Sequence, residues 1–460
     1  MNPWAERFME LQSHDEIRRR SQSIPPPLPG LNKLEIETAC KKLESAFKSL
    51  FIPTEQTVSI MADLLGLALA HSASTYISKK EFMAGLYAAS CPLPEMFFPI
   101  CLTGLAGVGK TQVLTAARRM ISDPMEVKAD PGHSPFPLRP AWHLSVRDRM
   151  TVSGILLHLL GEENAEKYDD LEESTSATSR ARHTNRKDIS LLLRRCRRIA
   201  YKSGISLLIA DEFQFATRSE NANALVVSML LHLSALGLPM LFAANFSLGY
   251  KLMRRPQEDI QRLLGRPLVL VPDLASSDDW LATLRAYQAV APDVFVFDPV
   301  MDGKTIHGWT AGLKRLLANI LVIAYRRARR AGRVVNVYEI ESAFKSVDYS
   351  TNRNDVNLIN QQNVTGKMAR KDLWCPFEMP KADTAALHEE AQSQRLAQTG
   401  IEMVKSAMTR NERQAYSTIE KAARNGSRTA KATVSSLKNE KESRLEALRK
   451  GEAIFRANRD

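Results

Sequence analysis

The sequence predicts an α/β protein: a parallel sheet with helices on both faces and a phosphate-binding loop at the end of its first strand. Three observations predict it. Gly104-Leu105-Ala106-Gly107-Val108-Gly109-Lys110-Thr111 has the Walker A spacing. It lies between an apolar run, Phe97 to Leu102, and a helical pattern with Val113, Leu114, Ala117 and Met120 on one side. A second apolar run, Ile205 to Ala210, reads as a central parallel strand and ends in Asp211-Glu212. A third, Met240 to Ala244, ends at Asn245.

These residue types fit nucleotide chemistry at that spacing. Glycines let backbone N–H groups turn inward and cradle phosphate oxygens, here through Gly104, Gly107, Val108 and Gly109. Lys110 reaches the outer phosphates, the Thr111 hydroxyl holds Mg²⁺, and the following helix points its positive end at the same anion. A carboxylate at the tip of a later strand, Asp211, holds Mg²⁺ through water, and Glu212 orients the attacking water. Asn245 sits at a neighbouring strand tip, where it either aligns that water or caps the next turn.

Taken in order, residues 1 to 30 are polar, end in a proline-rich run, and read as a flexible arm. Residues 31 to 95 carry two helical patterns, Leu34 to Phe47 and Val58 to Ala68. The α/β part spans 96–275. Its second strand is Trp142 to Val146, after a proline-rich loop from Asp123 to Pro140. A polar stretch from Gly161 to Arg186 reads as an exposed insertion. The helix Ile189 to Tyr201 carries Arg194, Arg195, Arg197 and Arg198 on what reads as a solvated face. Leu268 to Val271 closes the sheet. Residues 276–350 form a small helical lid around the helix Ala311 to Ala331, which Gly332 stops. Residues 351–460 turn polar and bury little. They read either as an arm that orders on a protein partner, with Trp374 and Phe377 as anchors, or as a plain solvated helix.

Hydrophobic residues make up 44% of the 460 residues, enough for a sizeable core, and the formal net charge of +12 suits a polyanionic partner. The candidate contacts to duplex DNA are Arg147, Arg149 and Lys187. No apolar run approaches the roughly 20 residues of a membrane span, and the start lacks the form of a signal peptide. Five scattered cysteines without a Cys-x-x-Cys read as reduced thiols in a cytoplasmic protein, with no zinc site.

Together these residues resemble the AAA+ ATPase layout: a P-loop parallel sheet with helices on both faces, plus a small α-helical lid and helical N- and C-terminal extensions. More narrowly, Ala210-Asp211-Glu212-Phe213-Gln214, Gln261-Arg262-Leu263 and Gly312-Leu313-Lys314-Arg315-Leu316-Leu317 resemble transposon-encoded regulators of the TnsC and TniB type, over about 96–350. The resemblance implies ATP and Mg²⁺ as cofactors and hydrolysis to ADP and phosphate. It places Asn245 as sensor 1, Arg262 as a finger reaching a neighbour's ATP, and Arg315 as sensor 2. Leu263 stands where the family usually has Phe, and Arg254, Arg255 and Arg266 crowd the same segment. The family implies a bacterial, DNA-associated homo-oligomer, ring or filament on duplex DNA, linking a target-selection protein to a transposase, with no membrane contact. Two other readings are an AAA+ replication initiator or helicase loader, and a signalling ATPase switch that binds proteins and not DNA.

Overall fold

The computed structural model describes residues 2–121, 125–146, 151–161, 188–211, 213, 222–379 and 381–416. Residues 1–392 form one compact unit and 393–460 a second.

The first unit opens with α1 (Pro3–Met9), α2 (His14–Ser21), α3 (Ile36–Ser49), α4 (Glu55–Thr75) and α5 (Lys79–Tyr87). The expected flexible arm is therefore helical over much of its length. Several of its apolar residues are buried: Trp4 and Ile17 fully, with Phe8 and Leu11 between them. Asn2 caps α1 by accepting from Trp4 N at 3.0 Å, and its Nδ2 donates to Tyr76 O at 2.5 Å. The Trp4 ring packs on Tyr76 at 5.4 Å and on Phe82 at 4.8 Å between centroids. Thr54 and Thr57 form a reciprocal capping box that starts α4. At 21 residues α4 is long and apolar enough to cross a bilayer, against the expectation that no run approaches that length. Half of its most apolar window is buried in the fold.

The sheet has the strands β1 (Ile100–Gly104), β4 (Ala141–Ser145), β5 (Leu207–Asp211), β6 (Met240–Asn245) and β7 (Pro267–Leu270), in the order β4-β5-β6-β1-β7. Every pairing is parallel. The proline-rich loop also holds a small antiparallel pair, β2 (Met125–Val127) and β3 (Phe136–Leu138), which the sequence did not announce. Side chains alternate across the pleat. Ile100, Leu102, Ile209 and Leu241 face the core shared with α3, α4 and α6 (Lys110–Met120). Cys101, Leu208, Ala210 and Phe242 face the core shared with α7 (Val152–Leu160), α8 (Ile189–Lys202) and α9 (Ala222–Ser234). Helices thus cover both faces, as a buried parallel sheet requires.

Two of the arginines read as a solvated face on α8 are instead clamps. Arg197 donates to the carbonyls of Leu93 and Pro94, both at 2.7 Å, and of Ala235 at 2.9 Å. Arg198 donates to those of Ala88 and Ala89. They satisfy the carbonyls of the loop leading into β1.

After β6 come α10 (Phe246–Leu252) and α11 (Gln257–Leu264). After β7 comes the helical lid: α12 (Asp278–Ala289), α13 (Pro299–Thr310), α14 (Lys314–Arg330) and α15 (Val337–Lys345). The lid helix expected from Ala311 starts at Lys314, because Ala311 and Gly312 both take left-handed conformations, with φ of 50° and 67°. Then follow α16 (Ser350–Thr365) and α17 (Lys381–Ala407).

The segment expected to bury little does pack, up to residue 392. Gln362 is buried and makes three side-chain hydrogen bonds. Its Nε2 donates to Leu373 O at 3.1 Å, and its Oε1 accepts from Ala369 N at 2.8 Å and Arg370 N at 2.9 Å. Pro376 and Phe377 cross α10 at Gly249, where Pro376 Cγ lies 2.9 Å from the position a Cβ would take. The Glu390 carboxylate accepts from Ala275 N at 2.9 Å and Ser276 N at 2.8 Å, in the joint between β7 and the lid. Residues 366–379 and 381–392 therefore form a strap tied to α10, to α16 and to that joint. In the second unit, Lys405 Nζ stands 5.1 Å from the Tyr416 ring centroid.

Candidate functional site

β1 delivers Gly104 to the carboxyl edge of the sheet, between Asn245 of β6 and Leu270 of β7. The chain then turns through Gly107 and Gly109, at φ of 90° and 119°, values open only to glycine at low cost. α6 begins at once with Lys110, and Gly109 in the capping position offers no side chain. The first N–H groups of α6 are thus left to whatever anion the loop holds. Val108 is buried and pins the loop, its N–H donating to Leu105 O at 3.3 Å. Thr111, next on α6, is exposed.

Lys110 is buried beneath the loop, with Nζ donating to Gly104 O at 2.8 Å and Leu105 O at 2.9 Å. Burial pushes its ammonium down to about 8; the Asp211 carboxylate opposes that shift and the Arg315 guanidinium adds to it. Both charged groups therefore act on Lys110. Asp211 ends β5 in register with Ser145 of β4. Asn245 ends β6, and although it precedes α10 its side chain makes no capping hydrogen bond, so the capping reading fails.

The lid closes on the loop. No side chain caps the start of α14; instead the Arg315 N–H donates to Gly107 O at 3.1 Å. Arg315 Nε lies 2.9 Å from the position a Cβ would take on Gly107. Lys314 spans the other glycine, its Cδ 3.7 Å from the corresponding position on Gly109. Beside α6, Leu50, Phe51, Gln112, Tyr287 and Lys314 border a narrow gap of about 10 Å³.

The structure thus brings together Gly104, Gly107, Val108, Gly109, Lys110, Thr111, Asp211, Asn245 and Arg315. Arg262 is half-buried on α11 and pairs with Glu258 on its own helix at 2.6 Å. Arg255 pairs with Asp259 at 3.3 Å, and Arg266 with Asp63 at 2.8 Å. Glu212, Arg147, Arg149 and Lys187 lie outside the described residues. Sequence reasoning missed Gln112, Lys314 and the stretch Leu50 to Ile52. Lys314 adjoins Arg315, and that adjacency was a signal that could have found it.

The strand order, the glycine loop at the end of β1 and the lid closing on it define the AAA+ fold. No protein-family model and no curated protein matches the chain. Among solved structures, it is similar to the Aeropyrum pernix Orc1 protein in complex with DNA. That match has 16% identity and a TM-score of 0.39, and covers 74% of this chain and 82% of that one. It is also similar to the FIGL-1 AAA domain, with 13% identity, a TM-score of 0.32, and 67% and 95% covered. A third is a single-substitution variant of Thermotoga maritima RuvB, with 12% identity, a TM-score of 0.31, and 63% and 75% covered. Likeness at this level bears on neither chemistry nor partners.

Proposed function

We propose that the chain is an ATP-hydrolysing switch that engages duplex DNA as a homo-oligomer. One observation carries the nucleotide reading: two left-handed glycines, the buried Lys110, Asp211 and the lid's Arg315 converge where β1 meets α6. That donor set fits a nucleoside triphosphate with Mg²⁺. The loop N–H groups bind phosphate oxygens, and Lys110 leaves its own loop carbonyls to meet the outer phosphates. Thr111 and, through water, Asp211 would hold Mg²⁺, which when bound would neutralise phosphate charge. Glu212 follows Asp211 and orients the attacking water, Asn245 aligns it, and Arg315 carries the nucleotide's state into the lid. Arg262, the finger that the resemblance implies, would have to leave its pair with Glu258 to reach a second subunit, where an arginine finger contributes about 10³ to 10⁵ in rate.

The DNA reading rests on the +12 charge. Two DNA processes use this same site and part at the partner: a replicative helicase or origin for an initiator or loader, a transposase and target selector for a transposition regulator. The regulator reading stands on residues 210–214, 261–263 and 312–317 alone. The test is retention of duplex DNA on a filter with and without ATP, across salt. ATP-dependent retention that falls steeply with salt is expected, because bound phosphates release counterions. Equal retention in both conditions, flat across salt, overturns the DNA reading and leaves a protein-directed switch.

A further inference from the structure

Lys314 and Asp273 form a buried ion pair in the joint between the sheet and the lid. Nζ lies 3.6 Å from Oδ2, with side chains only 12% and 10% exposed. That distance exceeds a hydrogen bond, and Asp273 Oδ2 has no hydrogen-bond partner. Two buried charges joined by so stretched a contact recover little of their desolvation cost, so the pair is held loosely. Burial also raises the Asp273 carboxyl above its usual range, against the pull of the Lys314 charge. Yet Lys314 does more than fill the joint. Its stem lies over Gly109 of the loop, and it opens the helix whose second residue, Arg315, bonds Gly107.

We infer that Lys314 is a nucleotide-binding residue that exchanges Asp273, its partner in this structure, for a phosphate oxygen of the bound nucleotide. The inference rests on the nucleotide reading above. A lysine suits the exchange: a compact charge on a flexible four-carbon stem moves between two oxygens without moving its helix. The exchange also has a consequence at the joint. Asp273 O accepts from His307 of α13 at 2.9 Å, and Ala275 and Ser276, just beyond, are held by Glu390 of the strap. Releasing the Asp273 carboxylate therefore disturbs a segment that lid, sheet and strap all grip. Nucleotide binding is thereby passed to the strap.

The test is calorimetric titration of the full chain with MgADP and with a slowly hydrolysed MgATP analogue, for wild type, Lys314→Met, Asp273→Asn and the double variant. Lys314→Met keeps the stem and loses the charge. It is expected to weaken binding about 10- to 100-fold, the range for one charge-assisted hydrogen bond. Asp273→Asn removes the competing partner and is expected to bind as tightly as wild type or tighter, with the double variant matching Lys314→Met. The inference is overturned if Lys314→Met binds like wild type. It is equally overturned if both single variants bind weakly and the double variant recovers, the pattern of a structural pair. If Lys314→Met does not fold, weakened binding by Asp273→Asn overturns the inference on its own. Wild-type protein that binds neither nucleotide sinks the nucleotide reading itself, a separate outcome.

Discussion

The buried Lys110 makes nucleotide binding depend on pH in a way that can be worked out beforehand. Burial holds its ammonium at about 8, below the ordinary lysine value. Above that pH the protein loses the charge, and binding must then take up a proton. Phosphate oxygens beside the ammonium restore its ordinary value in the complex. The apparent Kd should therefore rise about tenfold between about pH 7 and about pH 9, some 1.4 kcal/mol. The effect on folding has the opposite sign. With the folded pKa below the unfolded one, the unfolded chain binds more protons above about 8, so this group favours folding more as pH rises. An alkaline loss of affinity is then not a loss of fold. The assay is equilibrium titration with a fluorescent MgATP analogue at several pH values, with Lys110→Met measured beside wild type. The variant should bind weakly and without this pH dependence. A wild-type Kd that stays flat over the same range, or a Lys110→Met profile that slopes as steeply, refutes the placement of the ammonium against the phosphates.

The remaining predictions concern the two ends of the first unit. Trp4→Ala should cost about 3–5 kcal/mol, because the ring is fully buried against Tyr76 and Phe82; an unchanged denaturant midpoint would mean that α1 is not part of the core. Removing 393–460 should leave the stability and ATP turnover of residues 1–392 intact. Removing 366–460 should lower both, since it strips the strap from α10 and unpairs Gln362 and the N–H groups that Glu390 holds. Equal behaviour of the two truncations, measured by thermal melting and phosphate release, would contradict the strap.

The sheet was legible in the sequence because each central strand is an apolar run that stops at a polar or glycine tip. Those tips, Gly104, Asp211 and Asn245, are also the residues the fold gathers at one edge. The loop was legible because its glycine spacing answers a local backbone demand. What stayed hidden depends on distant partners. Composition marks residues 1 to 30 as polar, yet Trp4 seats α1 in the aromatic cluster of Tyr76 and Phe82, while Phe8, Leu11 and Ile17 join the core on the other side of the sheet. Arg197 and Arg198 look solvated until the loop before β1 brings its carbonyls to them. The strap was missed for a similar reason: Gln362 and Glu390 bind backbone groups, which carry no sequence signal. Lys314 and Asp273 are far apart in the chain and meet only when the lid folds back over the loop.

The central claim is that the loop from Gly104 to Thr111 binds ATP and that Asp211-Glu212 serves its hydrolysis. It is tested most directly by measuring retained radiolabelled ATP and released phosphate together, in wild type, Lys110→Ala and Glu212→Gln. Wild type should bind and turn over ATP, Lys110→Ala should lose binding, and Glu212→Gln should bind ATP and keep it unhydrolysed. ATP bound by Lys110→Ala as tightly as by wild type, or hydrolysed by Glu212→Gln at the wild-type rate, would contradict the account.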